Sequence, residues 1–228
     1  MDDHRFHAGV ADDVGRLVDG VVPVHGDGIG TELSGRHARF EEGEVVAHHH
    51  ADAISGTDAD RLEGRRRALD ACGEMWVNVE VKNHRTEPDY DADDHRTDAV
   101  LDVLRRRVAL HGDVRRYLLS CFRRETVDHA AKIWPDLPTA WLTISVPNPD
   151  VLARDLKASG HVAVHPEVGQ VSRELIDAFH RHGLAVNTWT CDDPANMAVL
   201  IDWGIDGICT NVPDVALRVL AKTRPASA

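Results

Sequence analysis

The sequence predicts an α/β fold with a parallel sheet, closed as a (β/α)8 TIM barrel, on three observations. From residue 61 onward, short apolar strand-like runs alternate with segments of helical period. The links between them are short, as right-handed β–α crossovers require. Helix start and stop residues fall at the seams, as Ser172, Asp193-Pro194, Gly183 and Gly204 do. An open doubly wound sheet is the competing arrangement of the same units. No GxGxxG or Walker loop is present, which removes its two commonest nucleotide-binding versions.

The elements follow in order. Residues 61–71 are polar with helical period and precede a β-rich run at 75–81. Residues 91–110 set Val100, Leu101, Leu104 and Val108 at helical spacing, and 117–120 is a short apolar strand. A helix at 125–133 stops before Pro135, and a strand follows at 140–144. Helix 150–158 ends at Gly160, and strand 161–164 follows it. Ser172 caps helix 173–182, Gly183 ends it, and 186–190 is a strand. Asp193-Pro194 opens helix 195–203, which Gly204 closes. Strand 208–210 and helix 213–221 complete six β/α units after residue 74. If the N-terminal third supplies two more, the barrel closes. Residues 1–222 are expected to form one domain, with a frayed tail at 223–228.

At 228 residues, with 43% hydrophobic content, the chain is long enough for one domain with a sizeable core. Mean hydropathy is -0.31 and no apolar stretch reaches membrane-spanning length. The start, Met1-Asp2-Asp3-His4-Arg5, has neither the basic nor the apolar region of a secretory signal, so a cytoplasmic location is expected. A net charge of -12 argues against nucleic acid as a partner, since phosphate neutralisation needs a basic face. Lysines stand only at Lys82, Lys132, Lys157 and Lys222. That acidic, lysine-poor balance suits high-salt adaptation, with an ordinary acidic protein of a GC-rich genome as the other reading. Cys72, Cys121, Cys191 and Cys209 form no CxxC pair and are expected as reduced thiols, the last three filling core positions.

Residues 75–82 read Met-Trp-Val-Asn-Val-Glu-Val-Lys. On a strand, Asn78, Glu80 and Lys82 share one face and Val77, Val79 and Val81 the other. Three polar groups on one side of a β-branched strand must pair or bind something. A carboxylate and an ammonium at a barrel's C-terminal rim suit a divalent metal and an anionic substrate. A buried Glu–Lys ion pair bracing the barrel is the alternative.

This strand resembles the "N-x-E-x-K" strand of the glycerophosphodiester phosphodiesterase family. Further matches come in the family's order. Leu118-Leu119-Ser120-Cys121-Phe122 is similar to its "SSF" strand, and Trp134-Pro135-Asp136-Leu137-Pro138 to its "P-D-x-P". His165-Pro166 matches its "HP" turn, and Val186-Asn187-Thr188-Trp189-Thr190 its "V-x-x-W-T" strand. Residues 204–214 resemble "GVDGIITDRPD", with Asn211 where Asp is usual. The matches cover about two-thirds of the chain.

Upstream the pattern departs. His4-Arg5-Phe6 stands for the family's "HRG", with three residues before it, and the better strand Val21-Val22-Pro23-Val24-His25-Gly26 is the alternative anchor. The first β/α unit is therefore expected to be incomplete or irregular. Against "DGIELDV", residues 27–33 keep Glu32 as the one carboxylate in either register. Residues 43–50 fit the β-hairpin insertion after the second strand, which ends in "HHD". His49 then takes the family's second catalytic histidine and His50 the place of its Asp, with Asp52 two residues on. Arg36, His37 and Arg39 lie in that hairpin and could add positive charge.

The resemblance implies a metal-dependent hydrolase that splits a glycerophosphodiester into glycerol 3-phosphate and an alcohol. It implies Glu32 and Glu80 as ligands of Mg²⁺ or Ca²⁺, Lys82 and Arg5 on the phosphate, and His49 and His4 in proton transfer. Trp189 would line the barrel mouth against the glycerol. The alternative is a degenerate member that binds a phosphorylated metabolite without turnover. A barrel that cyclises phospholipid headgroups ranks last, since aromatics are 5% and no apolar loop stands out. The partner expected is a small phosphodiester, with no membrane insertion. A homodimer is common for such barrels, and the sequence shows no surface patch that decides it.

Overall fold

The computed structural model describes residues 18–23, 46–50, 69, 72, 75–87 and 90–223, the first two stretches by the course of the backbone. Eight strands form a closed barrel in sequence order. They are β1 Val18–Pro23, β2 Val46–His50, β3 Val77–Glu80, β4 Tyr117–Cys121, β5 Thr139–Thr143, β6 Ala163–Pro166, β7 Ala185–Thr188 and β8 Gly207–Thr210. Strands β2 to β8 run parallel, each paired with the next. Strand β1 is antiparallel to both its neighbours, β2 and β8. Ring closure removes the open-sheet alternative, and the irregularity sits in the first unit, as expected. Part of the stretch expected as a hairpin, Val46–His50, is itself a barrel-wall strand.

Each strand from β3 on is followed by a helix. These are α1 His95–His111, α2 Arg124–Ile133, α3 Pro149–Ala158, α4 Arg173–Arg181, α5 Pro194–Asp202 and α6 Pro213–Thr223. The caps explain the starts. Ser172 accepts from Leu175 N–H, Asp193 from Asn196 N–H and Asn148 from Val151 N–H, with proline opening α3 and α5. Gly183 and Gly204 follow α4 and α5 with φ of 67° and 84°, a backbone that a side chain would strain. The helix expected at 61–71 lies outside the described residues except for Leu69, which is buried.

Strand alternation sorts the core. Val77, Val79 and Val81 of the β3 segment pack with Leu101 and Leu104 of α1 and with Tyr117, Leu119 and Cys121 of β4. Val164, Val186 and Ile208 pack outward on Phe179, Ile176, Leu156 and Met197. The opposite faces turn inward. Leu118, Ala140, Ala163 and Ala185 fill the interior low in the barrel with small volumes. Cys72, Cys121, Cys191 and Cys209 are free and buried, as expected for the last three. Burial pushes the Cys121 thiol up to about 11, so it stays protonated.

A buried polar network fixes the loop after β3. Asn83, 1% exposed, donates to the Asp91 carbonyl, to Asp94 Oδ1 and to Thr126 Oγ1 at 2.8, 2.8 and 3.1 Å. Its own oxygen accepts from Asp91 N–H at 2.9 Å. Asp94 also accepts from Thr126 at 2.6 Å and from Arg123 at 2.8 Å, both ionic side chains being nearly enclosed. Arg123 spans from the end of β4 to the Ala92 carbonyl and lies 5.5 Å from the Tyr90 ring centre.

A second network braces β5 and β6 near their N-terminal ends. His161 sits between Thr139 Oγ1 and Asp128 Oδ1, both at 2.8 Å. A carboxylate only accepts, so Nε2 carries the proton and neutral Nδ1 accepts from the threonine hydroxyl. Arg124 holds Asp128, Asp155 and Ser159 together. Asp206 accepts from Val186 N–H and His180 Nε2, each at 2.7 Å, which ties the loop before β8 to β7 and α4.

Two outcomes follow from these networks. Arg123→Met leaves the Asp94 carboxylate uncompensated and is expected to cost about 3 kcal/mol in chemical denaturation, while Arg123→Lys costs less. Burial holds the His161 ring below its ordinary pKa against the upward pull of Asp128, with Arg124 and Asp155 also acting on it. The unfolded chain then takes up the proton first, near pH 6.5, so His161 contributes stability above that pH and loses it below. His180 is raised by its bond to Asp206, against burial, so its contribution is present below that pH and lost above. Thermal melts between pH 8 and 5 should show His161→Gln shallower on the acid side than wild type, and His180→Gln steeper.

Candidate functional site

The polar groups of β3 stand on the barrel's interior face because its valines are committed to the helix layer. Asn78 is 2% and Glu80 8% exposed. Lys82 lies two residues past Glu80, its Nζ 2.6 Å from Glu80 Oε1. That contact is an ion pair by distance without hydrogen-bond alignment, so Oε1 has no hydrogen-bond partner. The ion pair expected as the bracing alternative is therefore present, and it stands at the C-terminal end of the strand.

Ser120 is the register partner of Glu80 on β4. Parallel strands lie about 4.8 Å apart and register partners point to the same side. Ser120 is 0% exposed, and its Oγ has no hydrogen-bond partner. Across the ring, His165 of β6 and Asn187 of β7 are buried and joined at 3.0 Å through Nε2 and Nδ2.

Aromatic rings flank this polar interior. Trp189, just past β7, donates from Nε1 to the His165 carbonyl at 2.7 Å. Phe122, just past β4, meets it edge-on at 5.1 Å between ring centres. Trp189 and Trp76 both pack against Cys209. Trp189 lies one residue past the C-terminal end of β7.

Mg²⁺ or Ca²⁺ can be tested against these residues. The Glu80 carboxylate, which a cation would share with Lys82, stands beside a buried Ser120 hydroxyl without a partner, and two hard oxygen donors of this kind fit such a cation. Among the described residues no three His, Cys, Asp or Glu side chains gather as a ligand set. Glu80 is the carboxylate that they bring to the interior face of β3.

The other expected residues divide. His49 lies on β2, where it is the register partner of Val79, while His50 is that of Glu80 and His48 that of Asn78. His4, Arg5 and Glu32 lie outside the described residues, as do Arg36, His37, Arg39 and Asp52. The sequence reading missed Ser120 as a site group, although its position between Leu118 and Phe122 on one strand face carries the signal. It also missed the Asn83–Asp94–Arg123 network, whose members are 11 and 29 residues apart and share no local pattern.

Asp192 explains the asparagine at 211. One carboxylate oxygen accepts from Thr210 Oγ1 and Asn211 N–H, the other from Asn211 Nδ2, all at 2.8 Å. Burial raises the Asp192 pKa, but the bonds from Asn211 and Thr210 outweigh it and leave the group below its ordinary value.

Comparison with known proteins adds the lineage. The model of the glycerophosphoryl diester phosphodiesterase family matches residues 38–215. A glycerophosphodiester phosphodiesterase of Bacillus subtilis (strain 168) is 26% identical over 112 residues, 48% of this chain and 38% of the relative. One of Bacillus altitudinis is 23% identical over 148 residues, 64% of this chain and 56% of the relative. The chain thus spans about half the length of these relatives, or less. Among solved structures, a glycerophosphodiester phosphodiesterase of Parabacteroides distasonis superposes with a TM-score of 0.58 at 18% identity, covering 78% of each chain. A phosphodiesterase of Oleispira antarctica, in complex with the product sn-glycerol-3-phosphate, gives 0.59 at 16% identity, over 70% of this chain and 60% of that one. Both likenesses establish the fold.

The Asp192 pair gives the outcome for this section. Asn211→Asp sets a second carboxylate against Asp192 and should cost about 1 kcal/mol, since the pair is exposed. Exchanging both residues, Asp192→Asn with Asn211→Asp, restores one donor amide facing one acceptor and should recover most of the loss in the same melt.

Proposed function

Because the chain belongs to the glycerophosphoryl diester phosphodiesterase family, we propose that it hydrolyses a glycerophosphodiester to glycerol 3-phosphate and an alcohol. The observation that carries this reading is the Glu80–Lys82 pair at the C-terminal end of β3, where barrel enzymes hold their sites. The sn-glycerol-3-phosphate bound in the Oleispira antarctica phosphodiesterase is the product that this reaction would release.

In this reading Glu80, together with Glu32, holds Mg²⁺ or Ca²⁺. That cation, when bound, polarises the phosphoryl oxygens. Lys82 and Arg5 bind the phosphate, and the half-buried Trp189, steadied by Phe122, receives the glycerol. A water oxygen forms the new bond to phosphorus and the bond to the alcohol oxygen breaks. His49 and His4 divide the two proton transfers, one taking a proton from the water and the other giving one to the departing alkoxide. Residues 1–222 act as one domain, and the matched residues 38–215 lie within it. Among the described residues no helix is long and apolar enough to cross a membrane.

Hydrolysis of glycerophosphocholine, with EDTA or with Mg²⁺, Ca²⁺ or Mn²⁺ at low and molar salt, tests the reading. Cation-dependent turnover is expected, with Glu80→Gln and His49→Ala each lowering kcat/KM by about a hundredfold or more. Folded protein that turns over no diester under any of these conditions would instead be a member that binds a phosphorylated metabolite without cleaving it.

A further inference from the structure

We infer that Ser120 is a ligand residue of this site: its hydroxyl oxygen is a direct donor to the divalent cation that Glu80 holds. The inference rests on the reading of Glu80 as a cation ligand and adds a residue to it.

The Ser120 hydroxyl has an unmet hydrogen bond. A hydroxyl withdrawn from water without a partner costs about 1–3 kcal/mol, and such groups are rare in folded chains. Ser120 Oγ is one of them, at 0% exposure. It does not lie at random in the core. Its register partner is Glu80, whose Oε1 lies 2.6 Å from the Lys82 ammonium. Neighbouring residues settle the direction of both. Tyr117, Leu119 and Cys121 pack in the layer between sheet and helices, which turns Ser120 toward the barrel interior, and the valines of β3 do the same for Glu80.

The surroundings could have satisfied the hydroxyl more cheaply. Leu118, Ala140 and Ala163 show that this part of the interior accepts small apolar side chains. An alanine at 120 would fit among them and remove the penalty. A serine there, its hydroxyl unmet and adjacent to a carboxylate, is a donor arrangement for a third party. Hard divalent cations take oxygen ligands of this kind, and hydroxyl oxygens serve them elsewhere in protein sites. A site short of carboxylates gains most from one more oxygen, because Mg²⁺ and Ca²⁺ seek six or more.

Titration of the purified full chain with Mn²⁺ alone, followed by calorimetry and by the rise in Tm, tests this. Wild type should bind, and Ser120→Ala should raise the Mn²⁺ Kd by about ten- to a hundredfold. The cation-free Tm of Ser120→Ala should be unchanged or higher, since an unmet hydroxyl has gone. Ser120→Cys keeps the shape while exchanging a hard donor for a soft one. It should weaken Mg²⁺ and Mn²⁺ and strengthen Cd²⁺, a switch that a merely structural serine would not produce. Equal Mn²⁺ affinity in wild type and both Ser120 variants, with binding lost in Glu80→Gln, would overturn the role of Ser120 and leave that of Glu80. Folded wild type that binds no Mn²⁺ would overturn both.

Discussion

The burial of the valine face of β3 against α1 decides which side of that strand is left for polar groups. Val77 and Val81 are 2% and 5% exposed and share a cluster with Leu101, Leu104 and Leu119. Burying two such side chains contributes about 3–6 kcal/mol, more than the polar residues opposite could recover by turning outward. Because the side-chain period of a strand is two, a slip by one residue would place Asn78 and Glu80 in the apolar layer. The register with β4 then fixes Ser120 beside Glu80. One apolar contact surface thus positions a site made of polar atoms.

A strand that ends in an acid–ammonium pair still needs its exit loop held in place. Asn83 begins that loop, and a set of bonds to Asp91, Asp94 and Thr126 anchors it on α2. Arg123 closes the set from the end of β4. Asn83, Asp94 and Thr126 each meet partners of opposite character here, the condition under which buried networks rigidify. Asp94 sits at φ 58°, in the left-handed region, where its short polar side chain is tolerated and four donors hold it. The ends of β3 and β4 are therefore coupled, and these ends carry Glu80, Lys82 and Ser120.

The parts of this architecture that were legible in the sequence are those set by local pattern. The six β/α units after residue 74, the two-faced strand at Val77–Glu80 and the caps at Ser172 and Asp193 all follow from periodicity or from a side chain bonding within three residues. The strand expected at 186–190 is present as β7, Ala185–Thr188, with Trp189 just past its end. What escaped were bonds between distant positions. Asn83 and Thr126 are 43 residues apart, and His161 reaches Asp128 over 33. The asparagine at 211 read as a loss from the family pattern. The structure gives it a donor's task opposite Asp192, 19 residues away. A missing carboxylate in a motif need not mean a missing function when its neighbour carries one.

Charge completes the picture. The chain bears a net -12, a field that repels a phosphodiester anion and is screened beyond about 10 Å at 0.1 M salt. Within the described site, Lys82 is matched by Glu80 and Arg123 by Asp94, so each pair is neutral as a unit. Neither offers a surplus of positive charge to an incoming phosphate. A divalent cation on Glu80 would change this locally in two ways, by adding two positive charges and by competing with Lys82 for the carboxylate. The freed ammonium would then face the substrate rather than its own strand. In the proposed reading, anion binding on such an acidic surface would then depend on cation binding.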